Sequence, residues 1–196
     1  MRVIAGSLRS RTLEAPPGLA TRPTSDRLRE TLFNVLAPRI QGANFLDLYA
    51  GSGAVGIEAL SRGASQVCFV ERAPAAQSVL RANLARLKIT AGFQIHKVSV
   101  GAFLRRPQLN ETQNFDLVFL DPPYDAAQEY AATLGLLGSA ATGLLAPSAF
   151  VIAEHRRKER LETRFGSLER TRLLEQGDAA LSFFAVSPAV DQAAIL

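Results

Sequence analysis

Short apolar runs alternate with helical patterns along residues 45–153, and this alternation constrains the fold more than any other feature of the sequence. Runs typical of buried strands occupy residues 45–49, 66–71, 93–98, 115–121 and 149–153. Apolar residues at helical spacing occupy residues 55–62, 75–87 and 130–137. Strands joined by helices form parallel sheets with right-handed crossovers, so the sequence predicts an α/β fold with a mostly parallel sheet.

The two ends of the chain depart from this alternation. Short alternating runs near the start predict a small β-hairpin, and a helix follows to about Leu36, with N-cap candidates at Thr24-Ser25-Asp26. Two runs separated by Gly177-Asp178 predict a closing antiparallel hairpin. We expect one domain, with a basic extension at residues 1–39, a core at 40–187 and a tail at 188–196.

Composition narrows the class of protein. Hydrophobic residues make up 47% of the chain and charged residues 20%, as in soluble globular proteins. No apolar run approaches the roughly 20 residues that a membrane span needs. One cysteine and two histidines exclude a disulfide framework and offer too few ligands for a structural zinc site. We expect a cytoplasmic protein without a membrane partner.

The positive charge is concentrated near the amino terminus. Residues 1–39 contain seven arginines and three acidic residues, so the whole net charge of +4 lies in this fifth of the chain. Such asymmetry indicates an anionic partner, with nucleic acid the leading candidate, although an ordinary solvated surface fits the charge equally well.

A predicted core strand ends abruptly at Asp121-Pro122-Pro123-Tyr124. Neither proline has a backbone N–H, so a central strand cannot continue through them. The stiff strand end presents a carboxylate and a carbonyl as acceptors and an aromatic ring as a stacking face. This set suits a planar ring that donates hydrogens, such as the exocyclic amine of a nucleobase.

Three glycines, Gly51, Gly53 and Gly56, follow the first core strand and open a helix. They allow a tight turn and the close approach of a ligand to the helix N-terminus. A glycine turn also occurs for packing reasons, but Glu71 ends the next strand twenty positions after Gly51. A carboxylate at that point reaches the hydroxyls of a ribose.

Asp47 lies inside the first core strand, four residues before Gly51. A buried carboxylate is costly unless it organises the loop or meets a cation. A dinucleotide binder usually has an uncharged strand here, whereas S-adenosylmethionine carries an ammonium group that gains from a carboxylate. Asp47 therefore favours S-adenosylmethionine over NAD, which would also leave Asp121-Pro122-Pro123-Tyr124 without a role.

The glycine loop and the Asp-Pro-Pro-Tyr signature, at residues 47–56 and 121–124, resemble those of the class I amino-methyltransferases. Residues 1–6 and 21–36 further resemble the RsmD family of bacterial small-subunit ribosomal RNA guanine-N2 methyltransferases. The resemblance spans most of the chain. It implies a Rossmann-like fold with a seven-stranded sheet. It also implies methylation of a guanine N2 amine in 16S ribosomal RNA, within the small subunit or an assembly intermediate.

The resemblance also implies a set of site residues. Catalytic roles fall on Asp121, Pro122 and Tyr124. Cofactor contacts fall on Asp47, Tyr49, Gly51, Ser52, Gly53, Glu71, Arg72, Ser99 and Asp121. Substrate contacts fall on Pro123 and Tyr124, and the basic charge of the amino-terminal end, rather than the resemblance, adds Arg2, Arg9, Arg11 and Arg22 as RNA-binding candidates. Many methyltransferases hold the adenine amine with an acidic or amide residue where this chain has only Ser99. A monomer that needs no metal is expected.

Two other functions remain open from the residues alone. The Asp-Pro-Pro-Tyr signature does not choose between bases, so an adenine-N6 methyltransferase acting on DNA or RNA also fits. A non-catalytic RNA-binding protein that aids ribosome assembly fits the basic amino-terminal fifth, although three acidic residues at the predicted site argue against it.

If the basic residues near the amino terminus bind RNA, the affinity should fall steeply with salt. Each phosphate that an arginine neutralises releases a counterion. The free energy gained from this release falls as the salt concentration rises from about 50 to 200 mM, so binding weakens. The RNA dissociation constant measured by fluorescence anisotropy at several salt concentrations tests the expectation. A flat salt dependence would contradict it.

Overall fold

The computed structural model describes residues 1–15, 25–105, 114–123, 127–139 and 142–187. The helices in these ranges are α1 (Asp26–Leu36), α2 (Ala54–Ser61), α3 (Pro74–Arg86), α4 (Val100–Leu104) and α5 (Ala127–Leu137). The strands are β1 (Asn44–Leu48), β2 (Gln66–Val70), β3 (Phe93–His96), β4 (Phe115–Leu120), β5 (Leu145–Arg156), β6 (Arg164–Phe165), β7 (Leu168–Gln176) and β8 (Ala179–Val186). Arg22, Tyr124 and the predicted tail at 188–196 lie outside the described residues.

The strands form a single mixed sheet in the order β3-β2-β1-β4-β5-β8-β7-β6. The first five run parallel to their neighbours, and β8 then pairs antiparallel with both β5 and β7. The predicted α/β fold with a mostly parallel sheet and a terminal antiparallel hairpin is confirmed. In the described ranges, no helix has the length and apolarity that crossing a membrane requires.

The described sheet has eight strands, one more than the seven that the resemblance implied. The additional strand, β6, contains only two residues and pairs with the start of β7. The five-residue helix α4 was also not predicted. Both elements are too short for the apolar periodicity that marks longer strands and helices.

Strand β5 is longer than predicted because it continues through polar residues. The predicted strand ended at residue 153, yet Glu154 and His155 are both buried within β5. The His155 ring forms a hydrogen bond of 2.9 Å between Nε2 and Ser182 Oγ of β8. A buried polar side chain with such a partner stabilises a strand that hydropathy alone would end early.

Helices cover both faces of the sheet. Alternate strand residues, such as Phe45 and Phe119, pack beneath α1, α2 and α3. Their neighbours, such as Leu46 and Leu120, pack beneath α4 and α5 on the opposite face. Because both faces are covered, the parallel strands are apolar on both sides, which is why they read as continuous apolar runs.

Residues 1–15, which we call the N-terminal segment, fold back on themselves and lie against α2. Val3 donates its N–H to Arg11 O, and Leu13 donates to Met1 O, at 2.9 and 3.0 Å. In the described part of this segment the pairing amounts to one bridge, between Arg2 and Thr12. The predicted small hairpin is therefore present as a short, irregular pair.

The third glycine of the loop serves packing between helix and sheet. A Cβ added to Gly56 would lie 2.2 Å from the Phe69 ring of β2, which is too close for any side chain. Gly56 therefore allows α2 to lie directly on the sheet.

Gly56→Val should destabilise the fold by about 2 kcal/mol or more, because the added side chain overpacks a closed core. Gly135→Ala is the matched control, since nothing lies within 4 Å of a Cβ there and Gly135 is exposed within α5. That control should be neutral or stabilise by up to about 1 kcal/mol. The free energy of unfolding from urea denaturation compares the two variants. Equal effects would refute the packing argument.

Candidate active site

A cavity of about 800 Å³ lies at the carboxyl edge of the parallel strands. Ligands of α/β sheets bind at this edge, in the crevice between loops that diverge to opposite faces. The cavity brings together most of the predicted cofactor residues, namely Asp47, Tyr49, Gly51, Ser52, Glu71, Arg72, Ser99 and Asp121. Pro122 and Pro123 also line it.

Asp47 organises the glycine loop from within β1. Its side chain is 2% exposed, and its Oδ2 accepts a 2.8 Å hydrogen bond from the N–H of Gly56 in the first turn of α2. Burial raises the pKa of Asp47 to about 8, although the Gly56 N–H lowers it and the charge of Glu71 raises it further. Asp47 therefore binds a proton more tightly than an ordinary carboxylate, and a cation in the cavity would displace that proton.

Glu71 joins the loops after β1 and β2. One carboxylate oxygen accepts from Gly51 N–H at 2.9 Å and the other from Ala73 N–H at 2.7 Å. The backbone carbonyl of Glu71 accepts from Gln77 Nε2 at 2.8 Å, which fixes the turn into α3. Glu71 thus has a structural task that the sequence did not reveal, while its side chain still lines the cavity.

The glycines of the loop have separate roles. Gly51 has a φ of +56°, and a Cβ there would meet only Tyr49 O at 3.9 Å. Gly53, with a φ of +78°, is the N-cap of α2, and a Cβ there would lie 2.2 Å from Leu80. Gly53 does not line the cavity, unlike the other predicted cofactor residues.

Tyr49 connects the glycine loop to α5. It has a φ of +60°, a left-handed conformation that is uncommon outside glycine, asparagine and aspartate. Its hydroxyl donates to Glu129 Oε2 at 2.7 Å and lies 2.8 Å from Thr133 Oγ1. Both partners also line the cavity. Neither partner could be predicted from the sequence, since the α5 stretch shows only an apolar helical pattern.

Asp121 follows β4 and forms part of the cavity wall, with Pro122 buried and Pro123 exposed behind it. Burial raises the pKa of Asp121 well above its usual range, and the nearby charges of Glu154 and Asp47 raise it further. Leu120 pairs with Ala153 in the parallel register of β4 and β5, so Asp121 and Glu154 directly follow paired residues. The predicted stacking residue, Tyr124, lies outside the described residues.

Ser99 is the N-cap of α4, and its hydroxyl oxygen accepts from Ala102 N–H at 3.3 Å. An accepting hydroxyl keeps its own proton, so Ser99 can still donate to a ligand. Arg105, the C-cap of the same helix, also lines the cavity and was not predicted.

Three of the four predicted RNA-binding arginines, Arg2, Arg9 and Arg11, lie outside this cavity. Arg2, Arg9 and Arg11 are exposed. Arg2 and Arg9 line a second depression of about 410 Å³, together with Asp26, Arg27 and Glu30. Arg11 does not line it. Arg22 lies outside the described ranges.

Comparison with known proteins identifies the family. A family model described as "Conserved hypothetical protein 95" matches residues 1–185. The Bacillus subtilis protein named "Putative rRNA methyltransferase YlbH" is 40% identical over 172 residues, which are 88% of this chain and 91% of that protein. The Haemophilus influenzae protein "Ribosomal RNA small subunit methyltransferase D" is 43% identical over 125 residues. The chain belongs to the RsmD family. The resemblance inferred from the motifs is confirmed.

Other relatives in the RsmD family are also similar to this chain in sequence and structure. The Escherichia coli protein "Ribosomal RNA small subunit methyltransferase D" is 45% identical over 124 residues, 63% of this chain. The matched stretch covers 60% of that relative and 64% of the one from Haemophilus influenzae. The solved structure "Putative methyltransferase yhhF from Escherichia coli" is 34% identical, with a TM-score of 0.82. That similarity covers 95% of this chain and 98% of the solved one.

Asp47→Asn should flatten the dependence of stability on pH. In the wild type the folded-state pKa of Asp47, about 8, exceeds the unfolded value of about 4. The folded state therefore binds the extra proton, and this stabilisation is lost as pH rises toward 8. Between about pH 5 and pH 8, the free energy of unfolding of the wild type should fall by on the order of 2–4 kcal/mol because of Asp47. The variant should not show this part of the decrease.

Urea unfolding at the two pH values, without cofactor, measures this difference. Glu30→Gln is the control, because Glu30 is exposed on α1. The same pH dependence in wild type and Asp47→Asn would show that Asp47 is already ionised in the folded protein.

Proposed function

We propose that this protein transfers a methyl group from S-adenosylmethionine to the exocyclic N2 amine of a guanine in 16S ribosomal RNA. One observation carries the proposal. A glycine loop held by two carboxylates and the Asp121-Pro122-Pro123 strand end face the same cavity. The names of the RsmD relatives support ribosomal RNA methylation. The choice of guanine follows the family resemblance.

The residues present fit S-adenosylmethionine. That molecule offers an ammonium group, ribose hydroxyls and an adenine amine, all of which donate hydrogen bonds. The described cavity offers carboxylate oxygens at Asp47, Glu71 and Asp121. Gly51 leaves the space beside it open, so backbone and ligand can approach closely. Apolar side chains of Val70, Val98 and Val100 supply a surface for a planar base.

We assign Asp47 to the ammonium end and Glu71 to the ribose. We assign the adenine to Ser99, whose hydroxyl can donate a hydrogen bond, and to the backbone around it. When bound, S-adenosylmethionine supplies a methyl group on a positively charged sulfur. No metal ion is required for this chemistry, because the sulfur already activates the methyl group.

The strand end at Asp121 would hold the substrate amine. The Asp121 carboxylate and the Pro122 carbonyl accept its two hydrogens, and Tyr124 stacks on the base. The amine lone pair is delocalised into the ring, so positioning and polarisation are the main catalytic contributions. Because the pKa of Asp121 is raised, its carboxylate is also suited to receive the proton that the nitrogen loses.

The guanine must leave its stack to reach Asp121. Flipping it out costs a few kcal/mol, and less from a single-stranded loop. The exposed arginines of the N-terminal segment, Arg2, Arg9 and Arg11, would bind the flanking phosphates. We assign a monomer as the active form, acting on the small subunit or its assembly intermediate.

The direct test is transfer of a labelled methyl group to 16S ribosomal RNA, free and within small subunits. The modified nucleoside is then identified by mass spectrometry. N2-methylguanosine is the expected product. If the product is N6-methyladenosine, the methylated base is adenine and not guanine. If neither substrate is methylated, the protein binds RNA without catalysing methyl transfer.

Asp121→Asn should lower kcat by about 100-fold or more, because the amide loses the charge and one acceptor position at the amine. Binding of S-adenosylhomocysteine, measured by calorimetry, should persist. Asp116→Asn is the control on the same strand, since Asp116 accepts from the backbone N–H of Asn44 at the far end of β4. Unchanged turnover in Asp121→Asn would remove this residue from the chemistry.

A further inference from the structure

The N-terminal segment forms part of the cavity wall. Met1 and Ala15, at its two ends, both line the large cavity. The outer surface of the same segment carries the exposed side chains of Arg2, Arg9 and Arg11. One short stretch of chain therefore faces the proposed cofactor site on one side and the proposed RNA surface on the other.

Helix α2 holds the first half of this segment. The buried carboxylate of Glu58 accepts from the N–H groups of Ile4 and Ala5, at 2.7 and 3.0 Å. Ser61 accepts from Leu8 N–H at 3.0 Å and donates to Ala5 O at 2.6 Å. Helix α2 begins at the glycine loop. These hydrogen bonds therefore join the N-terminal segment to the helix that directly follows the loop.

Asn83 of α3 holds the second half and also reaches the loop itself. Its side chain is fully buried. The amide oxygen accepts from Glu14 N–H at 2.8 Å, while Nδ2 donates to Glu14 O at 3.1 Å and to Ser52 O at 3.0 Å. Both amide hydrogens are used, and each fixes a backbone carbonyl. Arg86, one turn along α3, adds an ion pair with the Glu14 side chain.

We propose that Asn83 is a positioning residue that couples cofactor binding at the glycine loop to RNA binding on the N-terminal segment. The inference rests on the function proposed above. Glu14 and Ser52 are separated along the chain, and one buried amide fixes the spacing of their backbones. A ligand that fixes the Ser52 backbone therefore also fixes the Glu14 backbone, in the segment that carries the arginines.

Coupling of this kind is reciprocal. If the cofactor product tightens RNA binding by some factor, RNA must tighten binding of that product by the same factor. Both ligands favour the same arrangement of the loop and the segment, so the coupling should be positive. The enzyme would then bind RNA most tightly when the cofactor site is filled.

The variant Asn83→Asp tests the inference. It keeps the acceptor for Glu14 N–H but replaces the donor to Glu14 O and Ser52 O by a second oxygen, which repels both carbonyls. Ser78→Ala is the matched control on α3, because Ser78 is exposed and donates within the helix, to Pro74 O. Thermal unfolding checks that both variants fold.

The measured quantity is the dissociation constant of 16S ribosomal RNA, with and without saturating S-adenosylhomocysteine. In the wild type and Ser78→Ala the ratio of the two constants should be about fivefold or more. In Asn83→Asp it should fall toward one, and the affinity for S-adenosylhomocysteine alone should drop by about tenfold. A ratio that is unchanged in Asn83→Asp overturns the role of Asn83.

Hydrogen exchange in the wild type gives a second readout that needs no variant. Adding S-adenosylhomocysteine should slow exchange of the Glu14 amide, whose N–H donates to Asn83. An unchanged Glu14 amide overturns the coupling. If both ligands bind independently, with a ratio of one in the wild type, the inference fails while the proposed function stands. If S-adenosylhomocysteine does not bind, the proposed function fails as well.

Discussion

The hydrogen bond from Gly56 N–H to the Asp47 carboxylate is the interaction on which the rest of the site depends. It joins the end of β1 to the first turn of α2, so the intervening loop is closed at both ends. Glu71 then fixes Gly51 within that loop. Asn83 fixes Ser52 from the opposite side. Three side chains from separate elements thus determine the loop backbone, and the loop itself is left with small residues beside open space.

The same arrangement places carboxyl groups with a raised proton affinity at one edge of the sheet. Burial raises the pKa of both Asp47 and Asp121, and the charge of Glu154 raises the pKa of Asp121 further. The buried guanidinium of Arg29 donates to Asp26 at 2.9 Å and approaches Glu58 to 4.0 Å, and its attraction to Glu154 is weaker than its attraction to either of them. Burial lowers the pKa of Arg29. A cavity with excess carboxylates and a high proton affinity is suited to a cationic ligand, which gains more there than in water.

Much of this site could be inferred from residue types and spacing, and the missing parts have a common cause. The strand containing Asp47 and the break at Pro122-Pro123 are local patterns, so they identify the sheet edge before any contact is known. Asn83 shows no such signal, because its partners lie 69 and 31 residues away along the chain. Tyr49 and Glu129 are 80 residues apart. Contacts of that kind depend on how α3 and α5 pack, and a single sequence does not reveal packing.

The position of β8 has a consequence for the order in which the protein can form. This strand is the last in the described chain, yet it lies between β5 and β7 in the interior of the sheet. During synthesis, the antiparallel edge of β5 therefore has no partner until residue 186 has emerged. An unpaired edge with apolar faces is prone to pairing with other chains. The earlier strands can assemble around β1 and β4 first, and β8 then closes the sheet in a late step.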